Sequence, residues 1–69
     1  MKDFEIYCYF NMIVSKENIW SDDVAYSKCA SQFGITKEEA KESYHRVEPI
    51  SYSYQEKYPA IYEKYRKQY

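Results

Sequence analysis

The chain has 69 residues, a formal net charge of −1, ten Tyr, three Phe and one Trp, with one Gly and two Pro. Such a length makes a single domain over residues 1–69 and leaves little interior, so large side chains, staples or oligomerisation must supply stability. The aromatic content and the near absence of Gly and Pro exclude a disordered linker. The near-neutral balance excludes a general attraction to nucleic acid.

Phe4 to Val14 supports two readings. As a helix, Ile6, Tyr7, Phe10, Ile13 and Val14 form one stripe. As a strand, Phe4, Ile6, Cys8, Phe10, Met12 and Val14 alternate with more polar neighbours. The strand would need residues 50–54 as its partner, and a lone two-stranded ribbon is marginal. The helix is therefore favoured, with Cys8 and Met12 on its far side implying burial nearly all round or cover by a partner chain.

Ser15 to Trp20 reads as a polar connection. Trp20 precedes a capping Ser21 and is expected to fold back as a hydrophobic staple on Val24 or Ala25, inside the core. Ser21 should cap a helix whose first turn carries Asp22 and Asp23, which suits the positive end of the dipole. Val24, Ala25, Tyr26, Cys29, Ala30 and Phe33 form its apolar side, and Gly34 is placed to end it in a left-handed conformation. Thr36 and Glu39 then spell a capping box for a second helix, with Ala40, Tyr44 and Val47 on its inner face. Glu48-Pro49 closes it, because the residue before proline avoids helical angles.

Past Pro49 the spacing predicts an extended run through Ile50 and Tyr52, then a short turn at residues 54–57. Ser53 with Glu56 offers a further capping box. Proline inside a helix costs about 3 kcal/mol, so a break at Tyr58 and a helix opening on Pro59 is the easier arrangement. Tyr58, Ile61, Tyr62, Tyr65 and Tyr69 then share one face, opposite Glu63, Lys64, Arg66 and Lys67. The fold class is an all-α bundle of three or four short helices around the residue 21–47 hairpin. The alternative is α+β, with strands near 4–14 and 50–54.

The hairpin resembles the helix-turn-helix of DNA-binding proteins: Ala30, Gly34, Ile35 and Ala40 stand where that family places its small, turn and aliphatic residues. Ser43 departs from the pattern, at a place where an aliphatic contact is usual. The resemblance implies that the second helix enters the major groove, with Thr36, Lys37, Lys41 and His45 as contacts. Glu38, Glu39 and Glu42 on the same helix oppose phosphate, and Lys64, Arg66 and Lys67 of the tail would add positive charge only where that helix lies alongside. A transcriptional regulator is accordingly the alternative reading.

The leading reading rests on the tyrosines. Ten phenols are more than so small a core encloses, and Tyr favours interfaces. Tyr54, Tyr58, Tyr62, Tyr65 and Tyr69 are the candidate protein-binding residues, for a partner protein or a second copy. Stacking on single-stranded nucleic acid draws on the same residues but lacks a basic groove.

Catalysis, cofactors, metals and a small-molecule substrate find no support. The only histidine, His45, is two residues from Ser43 on a helix and cannot serve it as a base. Cys8 and Cys29 lack zinc-site spacing. The opening residues carry Asp3 and Glu5 and no small-residue cleavage site, so no secretory leader is expected. Both cysteines should then be free thiols in a cytoplasmic, reducing setting. No apolar run approaches the ~20 residues of a membrane span.

Overall fold

The computed structural model describes residues 2–67. Among them the chain is helical with no strand: α1 (Lys2–Lys16), α2 (Asp22–Phe33), α3 (Lys37–Val47), a 3₁₀ turn (Glu48–Ile50), α4 (Ser51–Lys57) and α5 (Pro59–Arg66). The all-α expectation holds, and the strand alternative for 4–14 and 50–54 does not. Two short helices flanking Tyr58 form a C-terminal arm beside a three-helix body.

The strand-like alternation in α1 has a physical origin. Phe4, Ile6, Cys8, Phe10, Met12 and Ile13 are all buried, which no single helical face would achieve. They are covered because α1 runs through the middle of the molecule, against α2, α3 and α5 on different sides. Other parts of the same chain provide the cover that the composition of α1 requires. The bundle is centred on this helix, and the residue 21–47 hairpin packs against it.

The connection after α1 and the turn after α2 open with one device. Asn18 (φ 54) and Gly34 (φ 66) are left-handed, and each is followed by an isoleucine. The Ile19 amide donates to the Val14 carbonyl at 3.3 Å, and the Ile35 amide to the Ala30 carbonyl at 3.0 Å. These six-to-one bonds, with the apolar residue just past the left-handed one turned in, are the Schellman arrangement. Ile19 and Ile35 both pack on the core.

That geometry corrects the expectation for Trp20. Asn18 reverses the chain so that Ile19 takes the inward place, and Trp20 is left 92% exposed. Val24, expected on the inner side of α2, is also exposed, whereas Ala25, Tyr26 and Cys29 are buried. Ser21 holds the N-cap position in extended backbone, but its side chain makes no capping bond. Thr36 and Glu39 do form the full capping box, with Thr36 N–H donating to the Glu39 carboxylate at 3.0 Å and Glu39 N–H to the Thr36 hydroxyl at 3.1 Å.

Residues 50–52 are not extended. Glu48 takes right-handed helical angles (φ −47, ψ −50) despite preceding proline, and Pro49 lies in the first turn of the 3₁₀ segment. Its missing amide costs nothing there. The chain runs straight on into α4, so Ser53 is interior to a helix rather than a cap, and the expected turn at 54–57 is helical. The break at Tyr58 (φ −127, ψ 61) and the start of α5 on Pro59 follow the sequence reading.

Cys8 and Cys29 are buried free thiols. Burial, joined by the Glu5 charge at Cys8, pushes both up to about 12. Among the described residues, no helix is long and apolar enough to cross a membrane.

Candidate interaction surface

The aromatic side chains divide between an inner network and an outer set. Inside, Phe10 lies 4.9 Å from Tyr26 and 4.3 Å from Tyr44, with Tyr7 a further 5.0 Å from Tyr44. Burial raises the Tyr44 phenol well above its ordinary value. At the other end of α1, Phe4 is fully buried under the arm: Tyr54 stacks on it at 5.5 Å and Tyr58 lies at 6.3 Å. Tyr65 meets Tyr9 edge-on at 6.3 Å and is 7% exposed.

The candidate tyrosines therefore serve chiefly to dock the arm. Tyr54, Tyr58 and Tyr62 are half-buried against the core, and Tyr65 is turned in and leaves the accessible surface. Tyr69 lies outside the described residues. The exposed large side chains are others: Trp20, Tyr52 at 81%, Ile50 at 51% and Val24. Ile50 and the rims of Tyr54 and Tyr58, with Ser53 and Lys57, line one shallow groove on the arm. The staple expectation places Trp20 in the core and so leaves it out of this set. Asn18, the residue type that tolerates left-handed backbone best after glycine, was the signal for its position.

The second candidate set, on α3, is brought together. Lys37, Lys41 and His45 line one open cleft, and all three are exposed. Asp22, Asp23 and Glu38 line it too. Lys37 is bound to Asp23, its ammonium 2.7 Å from the carboxylate, and this pairing raises the lysine pKa. Thr36 is occupied by its capping box. The tail helix α5 packs on α1. Arg66 is also paired with Glu63 at 3.0 Å. The cleft has mixed charge.

Ser43, the departure from the helix-turn-helix pattern, has a structural role. It is buried, and its hydroxyl donates to the Asp3 carboxylate at 2.9 Å. Arg46 donates from two nitrogens to the same carboxylate at 3.1 and 3.2 Å. The Arg46 hydrogen bond is the main reason the Asp3 pKa is lowered, against an opposing effect of burial. An aliphatic residue at 43 would leave Asp3 short of a donor, so this position joins α3 to α1 by polar contact.

Among the described residues no group of three His, Cys, Asp or Glu is gathered as a metal site. No family model, curated protein or solved structure matches the chain.

Proposed function

We propose that the chain is a small, non-catalytic interaction module that contacts another polypeptide, a partner protein or a second copy of itself, through exposed aromatic side chains. The observation that carries this reading is Trp20, 92% exposed in the connection between α1 and α2, where Asn18 reverses the chain. A free indole is costly in water and is among the residues that most often dominate protein contacts. Tyr52 and Ile50 add a second exposed apolar area on the arm.

Trp20 is the only tryptophan in the chain, so its fluorescence reports directly on this surface. Emission should be that of a solvated indole in the isolated monomer and shift to shorter wavelength when a polypeptide covers it. A photo-crosslinking residue placed at position 20 should give discrete polypeptide adducts, while one at Lys16 should give far fewer. Equal, diffuse labelling from both positions would refute the reading.

The helix-turn-helix alternative draws on the left-handed Gly34, the capped start of α3 and the grouping of Lys37, Lys41 and His45. It requires salt-sensitive binding to duplex DNA that weakens when Lys37 and Lys41 are neutralised. The three acidic residues in the same cleft favour the polypeptide reading. Absence of duplex binding at ~50 mM salt would remove the DNA reading.

A further inference from the structure

One face of α4 carries a stripe at helical spacing: Ile50, Ser53, Tyr54, Lys57 and Tyr58 fall at i, i+3, i+4, i+7 and i+8. These five residues line the shallow groove on the arm. The two rings also face the body, since Tyr54 stacks on Phe4 at 5.5 Å and Tyr58 lies 6.0 Å from Tyr54. Both stay only half-buried, and beside them Ser53, Lys57 and Ile50 are open to solvent. Packing inside the molecule therefore positions the rings without filling the groove.

The charge lining this groove differs from that of the clefts along α3. Asp22, Asp23 and Glu38 line one of those, and Asp3, Glu39 and Glu42 line the crevice between α1 and α3. No carboxylate lines the groove on the arm. Glu56 directly precedes Lys57, but neighbouring residues stand about 100° apart round a helix, which puts it off the stripe. The Lys57 ammonium rests 5.7 Å from the centre of the Tyr58 ring. Among the described residues no carboxylate lies within ion-pair distance of it. The groove is apolar, with one positive charge left unmatched at its edge.

Its volume, about 240 Å³, is below the roughly 300–1,000 Å³ of small-molecule sites. It has room for a single large side chain. Bases stack on open ring faces, whereas Tyr54 is stacked on Phe4 and Lys57 lies over Tyr58. We propose that this groove docks an acidic segment of a partner polypeptide: one apolar or aromatic side chain enters between Ile50 and the two tyrosines, and an adjacent Asp or Glu pairs with Lys57. The docking rests on the reading of the chain as a polypeptide-contacting module and supplies the chemistry of the partner. A carboxylate is the group the groove lacks, and its hydrogen bond to an ammonium is stronger than one between neutral groups.

The test titrates the full, isotope-labelled chain with the acetylated and amidated peptide Glu-Trp-Asp-Asp and with its neutral counterpart Gln-Trp-Asn-Asn. At low salt the acidic peptide should shift the amides of residues 50, 53, 54, 57 and 58, and the neutral one should bind about threefold more weakly. Added salt should weaken the acidic peptide alone. Lys57→Gln should abolish the difference between the peptides, and Lys57→Arg should keep it. Ser53→Glu sets a carboxylate four residues before Lys57, a pairing that favours the helix. It should weaken the acidic peptide at least as much as Lys57→Gln does, without lowering Tm. Equal affinity for the two peptides, shifts centred on other residues, or tighter binding of oligothymidine than of the acidic peptide would each overturn the docking. Shifts at these amides that grow with protein concentration alone would give the groove to a second copy, which overturns it too. A groove that takes neither peptide, in a chain that still forms discrete polypeptide adducts from position 20, overturns this docking and leaves the interaction reading in place.

Discussion

At the scale of single residues, two left-handed positions decide which apolar side chains go in. Gly34 bears its conformation freely, and a β-carbon added there would meet nothing within 4 Å. The cost of Gly34→Ala is then purely conformational, about 1 kcal/mol, read as a lower Tm. Asn18 already pays part of that cost, so Asn18→Gly should stabilise the fold by several tenths of a kcal/mol. It should leave Trp20 emission unchanged, because the reversal is preserved. Cys8 and Cys29 are buried, with thiols pushed up to about 12. Both should resist a thiol reagent at neutral pH in the folded protein and react fully in denaturant; rapid labelling of either without denaturant would contradict their placement.

At the scale of elements, the tie between α1 and α3 is a carboxylate held by a hydroxyl and a guanidinium. Asp3 has a folded pKa below its ordinary 3.8, so the unfolded chain binds its proton more readily. The stability this group contributes is present above the unfolded value and is lost as pH falls through the folded one. Arg46 is 58% exposed, and the screening that follows reduces the contribution to about 1 kcal/mol. Asp3→Asn should therefore lower the urea midpoint at pH 7, and the difference from the wild type should shrink steadily below about pH 4. A difference that stays constant down to pH 2.5 would show that the carboxylate charge is not what binds the helices.

For the whole molecule, Phe4 is where body and arm meet. It is fully buried and lies beside Tyr7, Tyr54 and Tyr58. Phe4→Ala should cost about 3–5 kcal/mol, enough to unfold much of a chain this small at room temperature. The milder Phe4→Leu should keep the body folded while loosening the arm, seen as faster amide exchange in α4 and α5 than in α2 and α3.

Much of this architecture was legible along the chain, because it depends on neighbours in sequence. The Thr36–Glu39 capping box, the Gly34 stop, the Tyr58 break and the Pro59 start each involve residues within one helical turn, and local sterics and hydrogen bonding determine them. The thiol character of the cysteines and the all-α class followed from residue types and spacing. The rest depends on what lies across the molecule. α1 alternates like a strand, and only packing on several sides accounts for that pattern in a helix. Trp20 and Ile19 are both apolar and adjacent, and the left-handed backbone at Asn18 decides which one faces solvent. Tyr52, Tyr54 and Tyr65 are the same residue type on one arm, yet Tyr52 is exposed, Tyr54 half-buried on Phe4 and Tyr65 buried against Tyr9. The sequence by itself determined the Thr36 start, the Gly34 stop and the Pro59 start; tertiary structure decided which surfaces remain uncovered, because exposure is set by contacts between residues far apart in the chain.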